Sequence, residues 1–343
     1  MRTRHRIVTL AATLVFASGL LAGCGGSSSG SNKSITLYNG QHVQTTDTLV
    51  AAFERATGIK VNVRSDDEDT FADAIVTEGS NSPADVIYTE NSPALEYLQG
   101  KNLLTPVNST TLANTPNRFN SPQGDWLGVS ARVSVLIYNP SLIRASELPT
   151  SVIQLANPEY RGKLAFAGGE TDFQPIVTSV AHTDGHSAAL KWLKGIEANA
   201  SGHIYPDNET ISSEVNRGAV AFGVINQYYW YRMRAELGAG SIHSKIAYFT
   251  PRDPGYVIDV SGAAILKSSN NRSAAQKFLA FLVSRQGQEI IAHSLSFEYP
   301  IVAGIGTAAP ETPFGELQPN PITIQQLGDG SAAIALLREA GLL

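Results

Sequence analysis

From Ser34 onward, apolar residues come in short blocks separated by longer segments with helical spacing. Residues 35–38 (Ile-Thr-Leu-Tyr) read as a strand, and 59–63 (Ile-Lys-Val-Asn-Val) alternate, so that strand buries one face. Residues 85–89 form a third. Between them, Thr46 or Asp47 can cap a helix running to Thr57, with Gly58 in the stop position. A helix over 71–78 ends before Gly79, and Pro93 in a first turn opens another that runs to Gln99. Strands alternating with helices predict βαβ units and a mainly parallel sheet.

A second α/β run follows, with a strand at 163–167, helices over 173–181 and 187–198, and a continuous apolar strand at 219–225. A helix from about Asn226 and a strand at 245–249 complete it. Two apolar stretches, 129–138 and 256–266, exceed a typical strand of about five to six residues. Each is expected to leave one sheet and enter another. The predicted fold class is therefore α/β with two lobes, two mixed sheets with flanking helices, and a hinge of crossing strands. The expected division is 34–132 with 260–308 for a discontinuous first lobe, and 133–259 with 309–343 for the second.

The N-terminus has a different character. Arg2, Arg4 and Arg6 precede an apolar run over 7–21 and then Leu21-Ala22-Gly23-Cys24, the only cysteine. This resembles the lipobox of bacterial lipoproteins, in which cleavage precedes the Cys and the thiol takes a diacylglycerol. Residues 1–23 would be the leader, and 24–33, rich in Gly and Ser, the lipidated Cys with a flexible tether. The run is short of the roughly 20 residues that span a bilayer, and two acyl chains suffice for stable anchoring. The expected location is extracytoplasmic, held to the membrane by that anchor alone. One cysteine rules out an internal disulfide and any Cys-built zinc or iron–sulfur site.

Charge narrows the field further. Lys plus Arg total 25 against 30 Asp plus Glu, and three of the basic residues lie in the leader. An acidic body without a basic run is a poor partner for nucleic acid or an anionic membrane. No H-E-x-x-H, P-loop or nucleophile–base set is present, so enzyme chemistry is not expected. The nearest His pair, His182 and His186, falls where a loop is expected.

The layout is similar to the two-lobed solute-binding proteins of ABC importers, in which ligands bind in a cleft beyond the carboxyl ends of the strands. That resemblance implies a permease and its ATPase as partners. A monomer is the default for a receptor that must close around its ligand.

Four strand ends carry hard-cation donors: Tyr38-Asn39-Gly40-Gln41-His42, Tyr88-Thr89-Glu90-Asn91, Glu170-Thr171-Asp172, and Asn226-Gln227-Tyr228-Tyr229-Trp230-Tyr231. Adjacent phenols are unusual there. A phenol titrates near 10, so a metal must supply the free energy of its deprotonation. Calcium and magnesium favour carboxylates, carbonyls and water. Fe(III), a stronger Lewis acid, suits two phenolates, a carboxylate and a neutral His. On spacing alone the aromatic run reads equally as a core patch. A lone His42 in a loop is more often solvated, and Glu90 can be a capping or surface acid.

The motifs also look like those of the periplasmic ferric-ion-binding proteins, sometimes called bacterial transferrins. That resemblance runs from about Ser34 to the C-terminus and implies His42, Glu90, Tyr228 and Tyr229 as ligands of transported Fe(III). It places Arg132, in the Trp126-to-Val133 motif, at the cleft, with Asn208 and Asn226 lining an anion site and Asn91 beside Glu90. Where some members hold a synergistic carbonate or phosphate on small residues, this chain has Glu170, Thr171 and Asp172. Either carboxylate can then supply an oxygen itself, or cap the helix that follows. The alternative ligand for the same fold is an organic cation, thiamine or a polyamine, stacked on residues 228–231.

Overall fold

The computed structural model describes residues 34–307 and 311–343. The leader, Cys24 and the tether lie outside the described residues, as does the expected lobe boundary at 308 and 309. Among the described residues no helix is long and apolar enough to cross a membrane.

The chain opens with β1 (Ser34–Gly40), α1 (Val43–Thr57), β2 (Lys60–Ser65), α2 (Glu68–Glu78), β3 (Val86–Thr89) and α3 (Pro93–Gly100). β1 pairs in parallel with both β2 and β3. Gly58 stops α1 at φ +72°, with its N–H on the Glu54 carbonyl. The helix begins earlier than its sequence signals indicate. His42 takes the cap position without a side-chain cap bond, while the Thr46 hydroxyl goes to Asn39 Oδ1 at 2.8 Å. β4 (Leu104–Thr105) and α4 (Ser109–Leu112) lead to β5 (Trp126–Tyr138), which is buried along its whole length.

The second α/β run comprises β6 (Leu164–Ala165), α5 (Gln174–Asp184), α6 (His186–Ala200), α7 (Asn208–Asn216), β7 (Phe222–Asn226), α8 (Gln227–Leu237) and β8 (Lys245–Ala247). β9 (Ile258–Leu266), α9 (Arg272–Leu282), α10 (Arg285–Ala292), β10 (Tyr299–Pro300), α11 (Ile324–Leu327) and α12 (Ser331–Ala340) complete the chain. His182 and His186 lie on helices, not in a loop. His182 Nε2 is 3.2 Å from Gln326 Nε2, and His186 Nε2 is 2.9 Å from Glu339 Oε2.

The strand order is β2-β1-β3-β9-β5-β7-β6, with β4, β8 and β10 on branches. β5 joins the two sheets as expected: Trp126 to Val133 pair with β9, and Ser134 to Tyr138 pair with β7. β9 differs from expectation. It pairs only with β3, β4 and β5, so the second crossing is made by the non-strand residues before it. There Ser134 N–H reaches the Val257 carbonyl at 3.0 Å. The first sheet is covered on both faces. Ile35, Leu37, Val86 and Tyr88 pack toward α1 and α9, whereas Tyr38 and Ile87 join the opposite core. The result is a two-lobed α/β fold in which the residues just beyond β1, β3 and β7 come together.

Candidate metal centre

α8 starts directly beyond β7, and its first turn is pinned to the crossing strand. Gln227 accepts the Val133 N–H at 2.8 Å and donates to the Phe297 carbonyl at 3.0 Å. Tyr228 and Tyr229 follow, stacked with ring centroids 4.1 Å apart and both buried. Their hydroxyls converge on one oxygen: Asp172 Oδ2 lies 3.2 Å from Tyr228 Oη and 2.9 Å from Tyr229 Oη. Tyr228 Oη is also 2.5 Å from Glu90 Oε1, and Tyr229 Oη is 3.2 Å from Glu170 Oε1.

The end of β3 presents Glu90 and the end of β1 presents His42. His42 Nε2 stands 3.5 Å from Glu90 Oε1, and its ring meets the Tyr228 ring edge-on at 5.2 Å. Side-chain exposure is 14% for His42 and 22% for Glu90, so these two form the open side of an otherwise buried group. His42 and Glu90 from beyond the first sheet, and Asp172, Tyr228 and Tyr229 from beyond the second, thus share one small volume.

Arg132 lies behind them, fully buried. Nη1 donates to the Glu90 carbonyl and to Asn91 Oδ1 (2.8 Å), Nη2 to Glu298 Oε1 (2.5 Å), and the guanidinium stands 5.6 Å over the Tyr228 ring. Burial opposes its charge, but Glu298 and Glu90 outweigh that and hold its pKa well above the ordinary value. Asn208, first residue of α7, donates to Asp172 at 3.1 Å, and Asn91 donates to Thr171 Oγ1 at 3.2 Å. Among the described residues, the Asn226 side chain accepts one long contact, from Ser134 Oγ at 3.5 Å. Neither Glu170 nor Asp172 caps the turn that follows; both turn toward the phenols.

Charge is crowded here. Burial first, then Asp172 and Glu90, push both phenols well above their ordinary value. Burial and Asp172 raise Glu170 to about 10; burial and Glu90 raise Asp172. Both phenol O–H groups are therefore intact at neutral pH, and Glu170 keeps its proton there. Buried polar atoms normally find partners. Yet His42 Nε2, Glu170 Oε2 and Asp172 Oδ1 have no hydrogen-bond partner among the described residues. Unpartnered atoms on an imidazole and two acidic side chains, beside two phenol oxygens, fit a hard cation of high charge. Among the described residues, His, Cys, Asp and Glu alone form no group of three that could hold a metal. The phenols complete the donor set. The stacked rings also leave no gap between them for a flat organic cation.

The sequence reading quoted Gln41 and Gln227 within their motifs without giving them a role, and did not single out Glu68 or Glu298. Glu68 is buried, with both oxygens on Asn91 at 2.7 and 3.0 Å. Glu298 had one available signal: it is the single charge in the run 295–302.

Comparison with known proteins places this arrangement in context. The family model described as bacterial extracellular solute-binding protein matches residues 81–321. The Fe(3+)-binding periplasmic protein of Serratia marcescens is 35% identical over 98% of this chain and 99% of its own. Iron-bound HitA from Pseudomonas aeruginosa superposes with a TM-score of 0.85 at 40% identity, covering 90% of this chain and 99% of that one. A Trichodesmium IdiA/FutA protein solved with iron and citrate ligands gives 0.80 at 30%, over 90% and 100%.

Proposed function

The chain belongs to the bacterial extracellular solute-binding proteins, and from that premise we propose that it is the Fe(III) receptor of an ABC importer. His42 and Glu90 come from the first lobe (34–132 and 260–308), and Tyr228 and Tyr229 from the second (133–259 and 309–343). The carrying observation is the convergence of two adjacent phenols, Asp172 and Glu90 within 2.5–3.2 Å across two sheets. Asp172 is the fifth protein ligand. The remaining position is open to water or to a small synergistic anion such as carbonate. Glu170, protonated, borders the site without adding charge.

The mechanism is differential binding. Fe(III) joins ligands from both lobes, so it stabilises the closed form, and only such a preference shifts the equilibrium. The lobes swing about β5 and the segment before β9. The closed receptor docks on its permease, and the ATPase supplies the work of release. The protein is a monomeric receptor, not an enzyme, tethered through lipidated Cys24. An organic cation is the weaker reading, because the hydroxyls already face carboxylates.

Adding Fe(III) to the metal-free protein tests this. Phenolate coordination gives a visible charge-transfer band at one equivalent. A colourless complex, or tight binding of thiamine or a polyamine instead, rejects the assignment.

A further inference from the structure

Glu298 is 1% exposed and gathers three donors. Arg132 Nη2 reaches Oε1 at 2.5 Å, Ser130 Oγ reaches Oε2 at 2.9 Å and Gln41 Nε2 reaches Oε2 at 3.1 Å. Two of these lead straight to metal-site residues. Gln41 turns its own Oε1 to the His42 N–H at 2.7 Å. Arg132 holds the Glu90 carbonyl through Nη1. The neighbouring residue reaches the other lobe, since the Phe297 carbonyl accepts Gln227, next to Tyr228. Phe297 sits at φ +55°, a left-handed conformation that bulky residues rarely adopt and that surrounding contacts must impose. All of this hangs on a short segment anchored where β10 pairs with Ala131 and Ser130 of β5.

Resting on the iron reading above, we infer that Glu298 is a positioning residue of the centre, because it occupies Arg132 and thereby leaves Glu90 free to face the metal. The competition is geometric. Arg132 Nη2 is 2.5 Å from Glu298 Oε1 and 3.6 Å from Glu90 Oε1. A buried guanidinium demands a carboxylate partner. Remove the charge on Glu298, and Glu90 is the other carboxylate within 4 Å of the guanidinium among the described residues, while Asp172 and Asp259 act on it from farther off. Glu90 then swings toward Arg132 and away from Tyr228.

The test uses the whole mature chain with four variants: E298Q, E298D, E90Q and the double variant E90Q/E298Q. Thermal melts report folding. Competition with a chelator reports affinity, and the phenolate–iron band with its EPR signal reports coordination. E298Q is expected to fold, to bind Fe(III) about 10- to 100-fold more weakly, as for other groups that orient ligands, and to shift both the band and the EPR signal. The double variant should bind no worse than E90Q alone, because Glu90 is no longer there to be diverted. E298D, which keeps the charge, should retain the wild-type band, and it carries the test if E298Q does not fold. Wild-type affinity and spectra in E298Q overturn the inference while leaving the iron reading intact. So do additive losses in the double variant, or a shifted band in E298D. A wild-type protein with no band removes the iron reading and this inference together.

Discussion

The affinity for Fe(III) should rise about 100-fold for each unit of pH near neutrality. Tyr228 and Tyr229 are held above their ordinary value of 10, by burial first and then by Asp172 and Glu90. Both O–H groups are therefore intact in the metal-free protein, and the proposed coordination by both phenols would remove two protons. Stripping one proton at pH 7 from a group of pKa 10 costs about 4 kcal/mol, so the pair costs at least about 8 kcal/mol before burial adds its share. Each proton released steepens affinity by a factor of about 10 per pH unit, and two give roughly 2.7 kcal/mol per unit. Glu170, held at about 10, keeps its proton across this range and leaves the slope unchanged. Asp172, also raised, adds part of a third proton on the acid side. The sign is fixed: binding strengthens with rising pH, and acid releases iron. Chelator competition followed through the visible band, corrected for the chelator's own protonation, measures the slope. A slope of one or less refutes the claim that both phenols coordinate as phenolates.

Other consequences follow from single side chains. Tyr229→Phe keeps the stacked ring but removes its oxygen, so it should bleach most of the band and weaken binding at least about 100-fold, a larger loss than orienting groups give; full colour would reject the assignment. Gly40→Ala places a methyl 2.7 Å from Glu68 Cβ, so the end of β1 must shift. We expect a loss of about 1–3 kcal/mol in denaturant unfolding, with weaker iron binding because His42 lies two residues on. Glu170 is raised from 4.5 to about 10 in the folded state, so the stability it contributes is present below pH 4.5 and is lost as pH climbs toward 10. The metal-free protein should therefore melt higher in mild acid than in mild base, and Glu170→Gln should flatten that difference in calorimetry.

Local signals carried much of this architecture. Gly58 and Gly79 end their helices where a left-handed residue is needed, and Pro93 opens α3 in its first turn. Adjacent phenols beyond an apolar strand pointed to α8 and its chemistry. What local pattern could not show is partnership over distance. Asn39, not a helix-capping role, claims the Thr46 hydroxyl, and this lets α1 start at Val43 with His42 at its cap. β9 looks long enough to cross sheets, yet antiparallel pairing with β3 and β5 keeps it in one. Glu170 and Asp172 read either as oxygen donors or as caps of the following helix, and it is the distant phenols of residues 228 and 229 that draw them inward. Glu298 serves Gln41 and Arg132, over 160 residues away, and no spacing rule reaches that far.

The same distances bear on which cation the centre accepts. Two oxygens bound at right angles to one small cation, at about 2.0–2.1 Å each, lie roughly 2.8–3.0 Å apart; at calcium's 2.3–2.6 Å they lie roughly 3.3–3.7 Å apart. The oxygen pairs here, Tyr228 with Glu90, Tyr228 with Asp172 and Tyr229 with Asp172, measure 2.5, 3.2 and 2.9 Å. They bracket the small-cation spacing and fall short of the calcium one. In the metal-free protein the two phenol protons lie within these contacts, so proton and metal compete for the same place with little rearrangement of the oxygens. Calcium loses twice in that competition, since it must spread the cluster and lacks the Lewis acidity to displace phenolic protons. A cation that is both small and strongly acidic loses neither way. Millimolar calcium should therefore leave the iron affinity of this protein unchanged, and a calcium-dependent loss of the band would contradict the argument from spacing.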